Sequence, residues 1–235
     1  LPNRAPAQSG QAYLDASEIA LSDARHNGPG SIRAYSPNLK PRPLQRVSLS
    51  ADLGEALENG QIVPWFQPQI STDTGEVSGM EALARWAHPE KGILTPDQFI
   101  AEIEELGLIE RLSEIVLYHA LMATKTWDKA GLRVPSVAVN FSPTDLANPK
   151  IVDKIRWELD RFDLEPARLS IEILESVISS SDNDTITRNI WALKEMGCGI
   201  DLDDYGTGHA SIANIRRFAV KRIKIDRSYV TRCDL

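Results

Sequence analysis

Cysteine is scarce in this chain. Cys198 and Cys233 are its two copies, and no metal-ligand spacing joins them, so they read as reduced thiols of a cytoplasmic protein. Long apolar runs are missing as well: none approaches the roughly 20 residues a helix needs to cross a bilayer. The opening Leu-Pro-Asn-Arg-Ala-Pro also lacks a signal-like apolar stretch. No membrane contact is expected from this segment, although a longer protein could carry an anchor upstream. Positive charge is short too. The net charge is −7, and because residues 1–50 hold +3, the remainder carries −10. A duplex nucleic-acid binder shows the opposite balance, so no duplex partner is expected. Four histidines, His26, His88, His119 and His209, stand at no ligand spacing.

Enough remains to build a core: 235 residues, 42% hydrophobic and 25% charged. From Leu49 onward, strand-like and helix-like segments alternate. Strands are expected near residues 62–70, 77–86, 134–140, 168–174, 198–203 and 220–226, with a hairpin-like link at Ser71–Gly75. Between them run apolar stripes at helical spacing, such as Leu112, Ile115, Val116, Ala120, Ala123 and Trp127, then Ile151, Ile155, Leu159 and Phe162. Thr95-Pro96-Asp97-Gln98 is a capping box that opens a further helix. This βα order predicts an α/β fold, a (β/α)8 TIM-type barrel of which about six strands are represented.

The strand segments share one peculiarity, which is oxygen ligands near their ends. In Val77–Trp86 the period-2 alternation sends Glu81, Leu83 and Arg85 to one face, an arrangement that suits a lined pocket better than a half-buried surface. Ser136-Val-Ala-Val-Asn140 ends on an amide, Leu169–Glu175 carries Glu172 and Glu175, and Gly199–Gly208 ends in Asp203 and Asp204 before a glycine turn. In Val220–Asp226, Arg222, Lys224 and Asp226 share a face. Hard oxygen donors gathered from separate strands suit Mg2+ or Mn2+, and a lysine beside them suits an anion or a bound water. Asp201 is expected to face inward with Asp203, where a buried carboxylate needs a partner such as Arg222.

With these residues in view, the chain resembles the EAL-domain cyclic-di-GMP phosphodiesterases. The resemblance rests on Gln67-Pro68, Glu81-Ala82-Leu83 with Arg85-Trp86, Asn140-Phe-Ser, Glu172-Ile-Leu-Glu175-Ser, Asp203-Asp204-Tyr-Gly-Thr-Gly and Lys224-Ile-Asp226-Arg-Ser-Tyr-Val, in that order. It implies metal-dependent hydrolysis of cyclic-di-GMP to linear pGpG, in which two divalent cations, Mg2+ or Mn2+, activate water for attack on phosphorus. By the same resemblance Glu81, Asn140, Glu172 and Asp203 hold the first cation, and Asp203 and Asp204 share the second. Lys224 steadies the water or the developing charge. Glu175 braces the Asp203–Gly208 loop. Gln67, Leu83, Arg85 and Asp226 contact the substrate. A homodimer is also compatible with this reading.

The resemblance also sets expected boundaries. Residues 1–35 look like the tail of a GGDEF domain, and residues 36–46, with Pro37, Pro41 and Pro43, form a Pro-rich connector. Residues 47–235 form the EAL domain, and these 189 residues fall short of the roughly 250 of a closed barrel. The last two strand-helix units, which in the family carry an Ala-Glu-Gly-Val-Glu-like motif and a Gln-Gly segment, are therefore expected to be missing, and the second metal site incomplete. If residue 235 is the true end, a cyclic-di-GMP receptor or signalling scaffold without turnover is the competing expectation.

Overall fold

A hairpin starts the sheet. Ile62–Ile70 (β1) and Val77–His88 (β2) pair antiparallel, and the turn between them closes through Ser71 N–H to the Glu76 carbonyl at 2.9 Å and Gly75 N–H to the Ser71 carbonyl at 2.8 Å. In this computed structural model the described residues are Ala20, Ile32, Ala34, 52–179, 184–206, 212–218, 220–226 and Tyr229. The expected GGDEF-like tail and the Pro-rich connector lie outside the described residues, those three positions aside.

Past β2 the strands run parallel. Val137–Asn140 (β4), Leu169–Leu174 (β5), Gly199–Tyr205 (β6) and Arg222–Ile225 (β7) join in the order β1-β2-β4-β5-β6-β7. The six expected strands are thus found, β1 with the expected bounds and the others with ends shifted by at most three residues. A three-residue strand, Gly92–Leu94 (β3), pairs with the end of β2 and was not expected, being too short to show alternation. His88 shapes its turn, since its Nδ1 accepts the N–H groups of Glu90 and Lys91 at 3.1 and 3.2 Å.

Among the described residues, besides the helical stretch 52–58, helices are Ile100–Glu105 (α1), Ile109–Lys129 (α2), Pro143–Ala147 (α3), Ile151–Phe162 (α4), Glu175–Ser179 (α5), Asp184–Met196 (α6) and Ile212–Arg217 (α7). One helix start differs from expectation. The Thr95–Gln98 capping box forms, but it closes a 3-10 turn, because Phe99 leaves helical geometry at φ −139° to bury its ring edge-on against Trp86, 6.0 Å away. Parallel strands bury their outer faces under helices, which accounts for the unbroken runs of Val137 and Val139, Ile171 and Ile173, Ile200 and Leu202, all 0 to 1% exposed. Helix α2 packs on β1, β2 and β4, and α6 on β6.

The inner face carries a polar floor. Asp201 on β6 is 1% exposed and accepts hydrogen bonds from Ser170 Oγ on β5 at 2.5 Å and from Arg222 Nη2 on β7 at 2.6 Å. Arg222 Nη1 reaches Gln69 Oε1 on β1 at 2.9 Å, tying the two ends of the sheet path together. Glycine at position 79 makes room for that reach, since a Cβ there would stand 2.8 Å from Gln69 Oε1. Asp201 and Arg222 are therefore paired as the sequence suggests, while Ser170 and Gln69 complete a network that the sequence did not announce. Asp201→Ala strands the guanidinium over a buried cavity. It is expected to cost roughly 3 kcal/mol, the low end for a broken buried pair because Arg222 keeps about a third of its side chain in water, measured as a fall in urea unfolding free energy.

Candidate metal and phosphodiester site

Two residues above the polar floor, at the carboxyl ends of the strands, the inner face turns acidic. Register explains the convergence. Gln67 pairs with Glu81, Glu81 with Ala138, Asn140 with Glu172, and Leu174 with Asp203, so residues of like parity point to the same interior. Carboxylate oxygens of Glu81, Glu172 and Asp203 lie within 4.8 Å of one another. Lys224 enters from β7, with Nζ 2.8 Å from Glu81 Oε2, 2.8 Å from Glu172 Oε1 and 3.6 Å from Asp203 Oδ2. Asn140 Nδ2 donates to Glu81 Oε1 at 3.3 Å, and the N–H of Phe141 donates to the Glu172 carbonyl at 2.9 Å, extending the β4–β5 pairing to the site.

Glu172 is the deepest member, with its side chain fully buried, and its Oε2 has no hydrogen-bond partner. A buried carboxylate oxygen left without a partner is costly unless a cation binds it. Burial pushes the Glu172 carboxyl up to about 8, the Lys224 ammonium pulling it down and the Glu81 and Asp203 charges pushing it up. Lys224 is itself held above the usual lysine range: burial lowers it, but the Glu172 and Glu81 carboxylates more than compensate. All-oxygen donors with one orphaned buried oxygen fit a hard divalent cation.

The turn after β6 holds the remaining carboxylates. Asp204 adopts a left-handed φ of 53°, and its N–H donates to Asp203 Oδ1 at 3.0 Å. Its carboxyl is raised by burial and then by the charges of Asp203 and Asp226. Asp226 lies just beyond β7, and its N–H donates to the Tyr205 carbonyl at 3.3 Å. Glu175, buried at the start of α5, accepts from the Gly206 N–H at 2.8 Å through Oε2. At the mouth, Gln67, Leu83 and Arg85 line up along the β1–β2 hairpin. Arg85 Nη1 donates to the Ala84 carbonyl at 2.7 Å, and its guanidinium stands 5.9 Å from the centre of the Trp65 ring.

Trp65 is the residue sequence reading passed over. It is 55% exposed and sits directly across the hairpin from Leu83. The signal was available in principle, since pairing Gln67 with Glu81 fixes Trp65 against Leu83. Of the other tryptophans, Trp86 is buried and Trp127 packs edge-on to Phe66 at 4.9 Å, whereas Trp157 and Trp191 are exposed.

A helix-flanked, mostly parallel sheet with an acidic cluster and a lysine at the carboxyl ends of its strands defines a TIM-barrel-like domain with a candidate cation site. The sequence model of the EAL domain matches residues 50–234, and the chain belongs to that family. The bifunctional diguanylate cyclase/cyclic di-GMP phosphodiesterase MucR of Pseudomonas aeruginosa is 34% identical over 213 residues, covering 91% of this chain and 31% of that protein. The cyclic di-GMP phosphodiesterase PdeR of Escherichia coli is 32% identical over 219 residues, covering 93% of this chain and 33% of that protein. Among solved structures, the PaMucR phosphodiesterase in complex with c-di-GMP superimposes with a TM-score of 0.74 at 38% identity, over 78% of this chain and 74% of that one. The chain spans about a quarter to a third of the length of the curated relatives it matches. Among the described residues, no helix is long and apolar enough to cross a membrane.

The buried carboxyl gives the site a pH signature. A carboxyl whose folded pKa lies above its unfolded value stabilises the fold while protonated, and that contribution is lost as pH rises from about 4.5 to about 8. In chelator-treated protein, the urea midpoint is expected to fall across this window more steeply for the parent than for Glu172→Gln. Parallel profiles would remove Glu172 as the source.

Proposed function

We propose that this domain hydrolyses cyclic-di-GMP to linear pGpG with the help of Mg2+ or Mn2+. The observation that carries the reading is the Glu81, Glu172 and Asp203 cluster with Lys224 at its centre, in a chain of the EAL family. Relatives named for that activity and a superimposable complex with that nucleotide support the choice of substrate. Glu81, Asn140, Glu172 and Asp203 would hold one cation, and Asp203 with Asp204 would contribute to a second. Bound there, such cations neutralise phosphate charge and lower the pKa of water.

The reaction adds water across one P–O ester bond: the water oxygen joins phosphorus, the ester oxygen leaves, and it gains a proton as the water loses one. Each side chain has a part in this. Lys224 offsets negative charge building on the phosphoryl oxygens. Arg85 grips a phosphate or a guanine edge with its planar fork, while Gln67 and Leu83 contact the nucleotide and Asp226 orients it or Lys224. Glu175, through Gly206, keeps the turn bearing Asp203 and Asp204 in place.

A receptor that binds cyclic-di-GMP without cleaving it is the second reading, favoured by the Lys224 ammonium already compensating Glu81 and Glu172. Incubation of the purified protein with cyclic-di-GMP and Mg2+ or Mn2+ separates the two, with nucleotide products resolved by chromatography. Accumulating pGpG, abolished in a folded Glu81→Ala variant, is the expected result. Saturable binding with no pGpG at any metal concentration would establish the receptor instead.

A further inference from the structure

Gly206 is gripped from two sides. Its N–H donates to Glu175 Oε2 at 2.8 Å, and its carbonyl accepts the hydroxyl of Tyr229 at 2.7 Å. The Tyr229 ring lies against its Cα so closely that a Cβ at this position would stand 2.5 Å from ring atom Cε2. With φ at 104°, the residue is in backbone space open to glycine alone, so both the conformation and the ring contact require glycine here.

Tyr229 belongs to the segment that follows β7. Two backbone bonds place it: Asp226 N–H to the Tyr205 carbonyl at 3.3 Å, and Tyr229 N–H to the Asp226 carbonyl at 3.1 Å. The strand that delivers Lys224 therefore ends in a segment fastened to the turn that delivers Asp203 and Asp204. Glu175, from the end of β5, holds the other side of the same glycine. Three neighbouring strands meet on one residue, two positions after an aspartate held at φ 53°. Positive φ at a non-glycine residue costs energy and persists only where surrounding contacts impose it.

From this geometry we infer that Tyr229 is a positioning residue, whose hydroxyl fixes the turn that presents Asp203 and Asp204 and thereby sets the cation affinity of the site. The inference rests on the proposed cation-dependent reading of that cluster. It deepens the reading by assigning a role to a side chain whose hydroxyl bonds the backbone of the turn. The ring alone fills space, whereas the hydroxyl transmits order.

The test is Tyr229→Phe, which keeps the ring and deletes the hydroxyl's hydrogen bond to the Gly206 carbonyl. Mn2+ is titrated into the nucleotide-free full chain by calorimetry, and melting is followed separately in chelator. The expected result is Mn2+ affinity lowered by roughly 2- to 10-fold, the equilibrium value of one hydrogen bond, with the chelator melting temperature unchanged. Where turnover is measurable, the Mn2+ concentration at half-maximal rate rises by the same factor while the KM for nucleotide stays put. Mn2+ affinity equal to the parent's overturns the inference, and so does a variant that melts lower in chelator yet binds Mn2+ as the parent does. Failure of the phosphodiesterase reading looks different: no pGpG from the parent, whatever the variant's affinity. Gly206→Ala provides the second arm, because its Cβ displaces the ring; it is expected to weaken Mn2+ binding at least as much as Tyr229→Phe, and parent-like affinity would again refute the clamp.

Discussion

Like charges held together with too little counter-charge set the terms for everything else in this domain. Glu81, Glu172 and Asp203 bring oxygens within 4.8 Å of one another, with Asp204 and Asp226 close enough to act on each other's charge, and Lys224 is the cation among them. One ammonium cannot neutralise that many carboxylates, and burial, with the repulsion of Glu81 and Asp203 added to it, raises the Glu172 carboxyl well above the ordinary range. A surplus of negative potential would also repel a phosphodiester. Binding an anion here therefore calls for divalent cations to reverse the local field, which links the acidic cluster to phosphate chemistry more tightly than any single residue does.

Holding such a cluster together requires a scaffold that does not yield to the repulsion. Its members come from β2, β5 and β6, with Lys224 from β7; the outer faces of β5 and β6 are buried at Ile171, Ile173, Ile200 and Leu202, whereas Ile223 and Ile225 on β7 are exposed. The layer beneath is held by its own charge pair. Arg222 and Asp201 sit two residues below Lys224 and Asp203 on the same strands, so the hydrogen bonds that close the floor also fix the height at which the lysine and the aspartate emerge. The site is in this sense the second storey of a polar stack, and the floor contributes no ligand of its own.

Much of this was legible in the sequence because strand alternation is a rigid rule. Once Glu81 is placed in a strand, Leu83 and Arg85 must share its face, and Asp201 must accompany Asp203; both follow from period 2 alone. Motif order then supplied which strands are neighbours. Contacts made between side chains far apart in sequence left no such trace. Gln69 and Ser170 meet Arg222 across 153 and 52 positions, and neither has a chemistry that marks it in advance. Tyr229 is silent for another reason: its partner is a backbone carbonyl, which every residue offers. The 3-10 turn at Pro96–Gln98 shows local propensity giving way to packing, since the capping box formed as written and the burial of Phe99 decided what came next.

Lys224 occupies the position that makes the two functional readings intelligible together. Its ammonium bonds the same carboxylates that a divalent cation would use, at 2.8 Å from each of two. Lysine and cation therefore compete for Glu81 and Glu172, and a cation that takes those charges leaves the ammonium's field uncompensated toward whatever anion approaches. On the proposed reading the electrostatic consequence would be directional: with Lys224 the counter-charge the pocket keeps a negative surplus that repels anions, and with a divalent cation on those carboxylates the lysine would be left to face a phosphate. Against the lowering effect of burial, the Glu172 and Glu81 carboxylates raise the Lys224 pKa, so the lysine stays protonated while it faces them. Its strand is held from below by the bond of Arg222 to Asp201 and from beyond by the bond of the Tyr229 hydroxyl to the Gly206 carbonyl, so the lysine's position is set by contacts that do not depend on which cation holds the carboxylates.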